Sequence, residues 1–189
     1  PGLLKAAQRN ADRGFGDVAL FEVGQIFKGD GEKDQRMAAA TVRRGGSGRA
    51  WNAKATPVSV FDAKADAMAM LAALGVPLGG LHIVSGGQAN LPAWLHPGRS
   101  GTMQFGPKNV IGWFGEFHPR TLEMLDVDGP VAGFEIILDD LPAPRAKPTK
   151  VKPKLELSDF MPLERDFAFI VDRSVKSADI LRAVQAAEK

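Results

Sequence analysis

The feature that most restricts the fold of this chain is an alternating apolar segment that has no polar face. In DVALFEVGQIF one side of an extended strand carries Val18, Leu20 and Ile26, and the other carries Ala19, Phe21, Val23 and Phe27. A period of two residues indicates a β-strand. Apolar residues on both sides predict a strand that is buried between two layers of the protein.

The segments that follow predict further short strands and helices. QRMAAATVRR is expected to return as a hairpin partner, SGTMQF and VIGWFGEF to form a second hairpin around GPKN, and LHIVSGG and VAGFEIILD to be single strands. Helices are expected at the chain start, over FDAKADAMAMLAALG with Asp62 as its cap, and after Pro119. Hairpins without repeated crossover helices predict an α+β fold, an antiparallel sheet flanked by helices.

The composition excludes several kinds of protein. The 189 residues are 44% hydrophobic and 24% charged, with a net charge of +2 and no cysteine. A chain without cysteine has no disulfide and no thiolate nucleophile, which fits a cytoplasmic location. No apolar run reaches the ~20 residues that a transmembrane helix needs, so no membrane association is expected. Zinc-protease, P-loop and dinucleotide-binding motifs are absent as well.

Two of the three histidines precede a proline, in LHPGRSG and EFHPRT. Because proline disfavours the helical conformation in the residue before it, His96 and His118 are expected at strand ends. Pro97-Gly98 would then form a turn that leads into the second hairpin. The histidines have no metal-ligand spacing, so no metal site is predicted.

A catalytic alternative is a small hydrolase that uses His96 with Ser100 or Asp62. The structural interpretation is favoured over it. In that interpretation four residues serve the fold or a subunit interface, and they are His96, Arg99, Trp113 and His118.

The chain changes character after Leu141. Prolines and lysines interleave over residues 142–156, which predicts an extended linker. RDFAFIVD is expected to form a strand and SVKSADILRAV a helix capped by Ser177. Since one strand and one helix cannot bury a core alone, residues 157–189 are predicted to begin a second domain.

The same tail holds the candidate RNA-binding residues, which are Lys152, Lys154, Arg165 and Phe167. Lysine and arginine contact phosphates without reading sequence, and an exposed phenylalanine can stack on a base. From these residues alone, a solvated tether followed by core phenylalanines is the favoured alternative. A free-standing RNA-binding module is a second possible function of the chain.

The segments quoted above resemble, in order and spacing, the β subunit of bacterial phenylalanyl-tRNA synthetase. The resemblance covers nearly the whole chain, and it rests on PGLLKAAQRNADRG, LFEVGQIF, FDAKADAMAMLAALG, LHPGRSG, IGWFGEFHPRTLEMLDVDGPVAGFEIILDDLP and SDFMPLERDFAFIVDRSVKSADILRAV. It implies a fragment that lacks the family's amino-terminal tRNA-binding-like, editing and helical-bundle regions.

The resemblance implies a class II synthetase-like, non-catalytic core domain over residues 1–141 and a linker over 142–156. Residues 157–189 would be the truncated start of a ferredoxin-fold anticodon-binding domain, its first strand and first helix. The implied partners are a catalytic α subunit, in a heterotetramer of two α and two β subunits, and the tRNA specific for phenylalanine. ATP and Mg²⁺ are implied for the whole enzyme, and none is expected to be bound by this fragment.

Catalytic silence is also expected from the residues that the family pattern would require. A working class II site holds the ATP α-phosphate with an arginine two positions before a glutamate. Here Glu22 is preceded by Leu20 at that distance. An apolar side chain cannot replace the bidentate grip of a guanidinium on phosphate. Arg120 follows Pro119 on the expected short helix, so no catalytic residue is predicted.

Overall fold

A computed structural model describes residues 1–48, 50–85, 90–143, 152, 154, 155, 157 and 159–187. The chain divides into two compact units, Pro1–Lys147 and Pro148–Lys189. The helices are α1 (Gly2–Asp12), α2 (Val60–Ala73), α3 (Pro119–Met124) and α4 (Ser177–Ala187). The strands are β1 (Val18–Phe27), β2 (Gln35–Arg44), β3 (Leu81–Ser85), β4 (Leu95–Phe105), β5 (Asn109–Phe117) and β6 (Val131–Ile137).

The first unit is built on one six-stranded sheet in the order β1-β2-β6-β5-β4-β3. Every neighbouring pair is antiparallel. The predicted hairpins β1–β2 and β4–β5 are both present, and β6 lies between them. The α+β fold with an antiparallel sheet flanked by helices is therefore confirmed.

One face of the sheet, called here the α2 face, carries the larger core. Ala63, Ala67 and Leu71 recur every four residues along α2, so they share one side of the helix. They are fully buried and pack in a cluster with side chains of β4, β5 and β6 that includes Phe114 and Ile136. The apolar stripe from which the helix was predicted therefore packs it against the sheet.

The start of α2 differs in detail from the sequence expectation. Ser59 is the N-cap residue, and Asp62 lies in the first turn. The Ser59 amide and hydroxyl both donate to Asp62 Oδ2, at 2.8 Å each. Asp62 therefore supports the helix start from inside the helix, and its prediction as the cap itself was wrong.

The opposite face, called here the open face, carries α1 and α3. Leu4 and Ala7 of α1 pack with Val42, Leu122 and two further apolar residues in a second buried cluster. Val18 and Leu20 of β1 border this cluster. The two helices cover only part of the open face.

β1 is less buried than the sequence predicts, above all on the α2 face. On the α2 face Phe21, Val23 and Phe27 are 77%, 56% and 67% exposed. β1 is the edge strand of the sheet, and α2 packs mainly on β5 and β6. The prediction of a strand enclosed between two layers was therefore wrong, because no described layer reaches the edge on that side.

The His-Pro segment of LHPGRSG also differs from expectation. Residues 95–105 form one strand, and the predicted Pro97-Gly98 turn is instead an irregularity within β4. Leu95 pairs with Phe117 and Ser100 with Gly115, so the register shifts between these pairs. Such a bulge bends a strand without ending it. The pairing of Leu95 with β5 explains why the strand continues through the proline.

In the second unit the predicted helix is present as α4. None of the residues of α4 is buried. The predicted strand over Arg165–Asp172 is wrong for the described residues, which have no strand there. A strand needs a hydrogen-bonded neighbour, and none pairs with this segment in the part of the unit that the structure describes. The ferredoxin-fold assignment of residues 157–189 stays a prediction.

Most of the predicted linker lies outside the described residues. The domain limits at residues 141 and 157 therefore stay predictions. Within the described part of the chain, no helix has the length and apolar character required to span a bilayer.

Candidate functional site

A cavity of the first unit lies on the open face, beside α1 and α3. It encloses about 590 Å³ and is called here the sheet hollow. Its floor is formed by strand residues with small side chains, which are Gly24, Ala38, Ala40 and Gly133. Its walls are the apolar side chains Leu3, Leu4, Ile26, Val42, Trp94, Leu95, Trp113, Phe117 and Leu125. The hollow therefore exists because small side chains form its floor and bulky apolar side chains surround them.

Two carboxylates flank this floor in a single cross-strand row. Glu22 pairs with Ala40, Ala40 with Glu135, and Glu135 with Trp113. Residues opposite one another in a sheet project to the same face, so all four side chains point to the open face. With strands spaced about 4.8 Å apart, the Glu22 and Glu135 backbones are separated by roughly 10 Å. Only the methyl group of Ala40 stands between the two carboxylates.

The electrostatic environment of the hollow is anionic. Glu135 is partly buried. Burial raises the pKa of its carboxyl, and the charge of Lys28 opposes this rise. Among the described residues, neither Glu22 nor Glu135 has a hydrogen bond or an ion pair through its carboxylate. No lysine or arginine lines the hollow. A negatively charged ligand would therefore be disfavoured there.

His96 and His118 are brought together by the fold. Their rings stack with centroids 6.1 Å apart and planes 25° apart. His96 Nδ1 accepts a hydrogen bond from the Gly98 amide at 3.1 Å, and His118 Nδ1 accepts one from the Arg120 amide at 3.2 Å. His118 is thereby the N-cap of α3. Both histidines act as local structural residues, as the His-Pro pattern indicates.

The hydrolase alternative has no assembled site. The Ser100 hydroxyl is buried and donates to the His96 carbonyl oxygen at 2.5 Å, and it makes no bond to the imidazole. Asp62 is engaged at the start of α2, which lies on the opposite face of the sheet. Within the described chain, no group of three or more histidines and carboxylates could hold a metal ion.

Arg99 and Trp113, the other two predicted fold or interface residues, have different surroundings. Arg99 Nε forms an ion pair with Glu116 Oε2 at 2.5 Å, between β4 and β5. Trp113 stands in the wall of the sheet hollow. Both have structural roles within the unit, and a role at a subunit interface stays a prediction.

The candidate RNA-binding residues all lie exposed in the second unit. Lys152, Lys154, Arg165 and Phe167 have solvent-exposed side chains. The Phe167 ring stacks on that of Phe169 at 6.3 Å, since residues two apart in an extended chain point the same way. The alternative of core phenylalanines is wrong within the described structure, and RNA contact by these residues stays a prediction.

Comparison with known proteins identifies the relationship. Residues 1–138 match the family model described as the phenylalanyl tRNA synthetase beta chain CLM domain. The chain belongs to this family. The family predicted from the quoted segments is thus confirmed.

Close relatives extend the similarity to the whole chain. It is 59% identical over 194 residues to the phenylalanine–tRNA ligase beta subunit of Mesorhizobium japonicum, covering 100% of this chain and 24% of that protein. The beta subunit of Bradyrhizobium diazoefficiens is 60% identical over 193 residues, covering 100% and 23%. That of Brucella suis is 56% identical over 194 residues, covering 100% and 24%. The chain spans about a quarter of the length of these curated relatives.

Sequence reasoning did not find the sheet hollow of this CLM-family chain. The predictions from sequence include Glu22 only through its spacing from Leu20, and they do not include Glu135. The available signal was a single glutamate within the otherwise apolar strand VAGFEII. A carboxylate at such a position is half-buried and calls for an explanation.

Proposed function

We propose that this chain is a non-catalytic part of the phenylalanine–tRNA ligase β subunit, and that its sheet is a class II synthetase-like scaffold for the α subunit. The whole enzyme would attach phenylalanine to its tRNA in the cytoplasm, using ATP and Mg²⁺ held by the α subunit. The beta-subunit relatives support the identity of the subunit. The class II-like character of the scaffold is what the resemblance to the β-subunit family implies.

The observation that carries the proposal is the charge of the sheet hollow. A site for ATP needs cations to hold the phosphates, and guanidinium groups are the most effective. The hollow has Glu22 and Glu135 and no basic residue among its described walls. Leu20, at the position that the family pattern gives to an arginine, borders the apolar cluster under α1. The residues that line the hollow do not fit a nucleoside triphosphate.

The surface proposed for the α subunit is the α2 face of β1. Phe21, Val23 and Phe27 form an exposed apolar strip on an edge strand of ten residues. Exposed apolar strips and unpaired strand edges are typical of surfaces that a partner covers. The name of the family's beta subunits implies such a partner.

The tail is proposed to contribute to tRNA recognition. Lys152, Lys154 and Arg165 would contact phosphates, and Phe167 would stack on a base. Their exposure in the second unit supports this proposal.

Catalytic silence is tested by ATP–pyrophosphate exchange with phenylalanine. The chain alone is expected to show no exchange above the background. In the assembled α–β enzyme, the double substitution Glu22→Gln with Glu135→Gln in β is expected to leave the exchange rate unchanged. Exchange by the chain without α would contradict the proposal, and so would loss of exchange in the double variant with the assembly intact.

The proposed docking surface is tested by co-purification of β with a tagged α subunit. Phe21→Ser combined with Phe27→Ser is expected to weaken association by at least about tenfold, because truncated apolar anchors lose more than about 1 kcal/mol each at interfaces. Met124→Ser is the matched control, since Met124 is 85% exposed on α3 and away from β1. Equal association of the double variant and the control would reject this surface.

A further inference from the structure

The outer edge of β1 is the longer of the two free edges of the described sheet. β1 has ten residues, and β3 at the other edge has five. β1 pairs with β2 in an unbroken register, and it contains no proline and no lysine. Bulges, prolines and lysines are the usual devices that stop an edge strand from pairing with another chain. Because this edge has none of them, it is suited to accept a further strand.

The side chains of β1 restrict what that further strand can be. Phe21, Val23 and Phe27 are exposed on the α2 face, so a strand that pairs with this edge must bring apolar side chains to the same face. We propose that a second copy of the chain supplies the strand, and that two β1 strands pair antiparallel about a two-fold axis at Gly24. The two sheets then form one continuous sheet with both α2 faces on the same side.

An axis at Gly24 makes the exposed apolar strip complementary to itself. In a two-fold interface each contact occurs twice, with the roles of the two copies exchanged. Phe21 of one copy lies directly opposite Phe27 of the other, and Val23 lies opposite Gln25. Both phenylalanines of each strip are thereby paired across the interface, and cross-strand aromatic pairs stabilise a sheet. An axis one residue away on either side would break both aromatic pairs.

Gly24 itself suits a position on the axis. A Cβ there would meet no atom within 4 Å, so the described chain leaves the space over this residue open. About this axis, opposite residues differ in number by an even amount. The outward-facing amide and carbonyl groups of one strand therefore meet those of the other. Residues 21–27 of the two copies can thus form a complete ladder.

The charged side chains at this edge are complementary as well. On the open face, Glu22 would lie opposite Ile26 of the second copy and diagonal to its Lys28, at a separation of about 7–8 Å that long side chains bridge. Lys28 follows β1 directly, and its charge acts on the carboxyl of Glu135, which lies on that face. Its ion pair with Asp140 is 3.8 Å long and partly exposed, and such pairs are weak. Two Glu22–Lys28 pairs can therefore flank the axis.

The dimer is expected to be weak and reversible. Pairing residues 21–27 of two strands buries on the order of 1,000 Å² in total, near the lower limit of specific interfaces, which predicts a dissociation constant on the order of 10 μM. The surface proposed for the α subunit uses the same apolar strip, so an α subunit and a second copy would exclude each other. The inference concerns the chain without an α subunit, and it holds or fails separately from the ligase proposal.

Sedimentation velocity on the full chain tests the dimer between about 1 and 200 μM protein, on either side of the expected dissociation constant. The mean mass is expected to rise from that of one chain toward that of two. Phe21→Lys is expected to raise the dissociation constant at least about tenfold, because it removes both aromatic pairs. Met124→Lys is the matched control and should leave the constant unchanged, since Met124 is 85% exposed on α3. Circular dichroism shows that each variant is folded.

The register is tested by cross-linking, because the chain has no cysteine of its own. Across an axis at Gly24, the two Cα atoms of that residue would be about 4.5–5.5 Å apart, a separation that a disulfide bridges. Gly24→Cys is therefore expected to give a disulfide-linked dimer on mild oxidation. Gln25→Cys and Met124→Cys are the controls. They are expected to cross-link far more slowly, since the two Gln25 Cα atoms would be about 8 Å apart and Met124 lies on α3.

The charge pairs are tested by exchanging the charges. Glu22→Lys alone is expected to weaken the dimer several-fold, because it places two cations diagonal to each other, and the addition of Lys28→Glu is expected to restore it.

Four results would overturn the proposal. They are a chain that stays monomeric at the highest concentration, equal effects of Phe21→Lys and Met124→Lys, faster cross-linking of Gln25→Cys than of Gly24→Cys, and no restoration by the exchanged charges. A monomeric chain whose complex with the α subunit is lost in Phe21→Lys would assign the strip to that subunit and would reject the second copy.

Discussion

At the scale of single residues, Gly133 and Gly24 share the floor of the sheet hollow but differ in their surroundings. A methyl group at Gly133 would overlap the Thr41 carbonyl oxygen, which belongs to the backbone of β2. We expect Gly133→Ala to lower the free energy of unfolding by about 2–3 kcal/mol, because the backbones of two central strands must move apart. Urea denaturation followed by circular dichroism measures this loss.

Gly24→Ala is the matched control for that substitution. Gly24 lies on the same floor in β1, and a Cβ there would meet no atom within 4 Å. Its replacement is expected to change the free energy of unfolding by no more than about 0.5 kcal/mol. Equal losses in the two variants would contradict the role assigned to the close approach of β2 and β6.

The sequence gives little warning of such residue-scale detail. Gly24 and Gly133 both occur inside alternating apolar strands. Only the pairing of β2 with β6 makes Gly133 intolerant of a side chain while Gly24 is not. The same holds for Glu22 and Glu135. These residues are 113 positions apart and meet in one row only because β6 inserts beside β2. The histidines were predictable, since the conformational effect of proline is local.

At the scale of elements, the start of α2 depends on one carboxylate. Asp62 accepts hydrogen bonds from the Ser59 amide and hydroxyl, and it carries a negative charge in the first turn. We expect Asp62→Ala to lower the free energy of unfolding by about 1 kcal/mol at pH 7, through the lost bonds and the lost interaction with the helix dipole. Thermal unfolding of the two proteins in the same buffer checks this.

The pH dependence of that effect has a defined sign. The hydrogen bond from the Ser59 hydroxyl is the main cause that lowers the pKa of the Asp62 carboxyl, and the Ser59 amide and Arg43 add to it. Because the pKa is lower in the folded state, the ionised carboxyl stabilises the protein at pH values above the unfolded pKa of about 3.9. This stabilisation is lost as the pH falls through the pKa of the folded state. The difference between wild type and Asp62→Ala should therefore narrow below about pH 4. Asp62→Asn, which cannot titrate, serves as the comparison, and a wild-type advantage over both variants that persists undiminished at pH 2 would contradict the assignment.

Element existence was more predictable than element surroundings. The four-residue spacing in α2 and the period of two in β1 and β2 are local signals, and the elements formed where those signals lie. The bulge in β4 was missed because the pairing of Leu95 with Phe117, a contact distant in the chain, overrides the turn tendency of Pro97. The exposure of Phe21 was missed because periodicity does not say whether a strand is central or at an edge.

At the scale of the molecule, the stability of the chain is expected to reside in the first unit. Every buried apolar residue of the described chain lies between Leu4 and Ile137, and α4 buries none. A chain that ends at Lys147 is therefore expected to melt within about 2 °C of the full chain in differential scanning calorimetry. A fall of more than about 5 °C, which corresponds to roughly 2 kcal/mol for a chain of this length, would show that the second unit stabilises the first.

A shorter chain that ends at Asp128 is the control for this experiment. It lacks β6, which joins the two hairpins of the sheet. Since Phe134 and Ile136 of β6 belong to the larger core, this control is expected to show no cooperative melting. Cooperative melting of the control would mean that the core does not depend on the complete sheet.

The α+β class and the antiparallel sheet could be predicted from hairpin spacing, whereas the strand order could not. Nothing local indicates that VAGFEII returns between two earlier hairpins. The second unit shows the opposite failure. RDFAFIVD has the alternation of a strand. A strand forms only when a second strand pairs with it, and no described residues pair with this segment.

The exposed edge of β1 has a consequence for the behaviour of the chain in concentrated solution. Alternate residues of this ten-residue strand direct their amide and carbonyl groups to the outer side, where no described strand pairs with them, and Glu22 is the only charged side chain in the strand. Like-charge repulsion along this edge is therefore weak, and two copies can align β1 against β1 as neighbours in one continuous ladder. Self-association that begins at this strand would grow with protein concentration, and charged substitutions on the strip would reduce it.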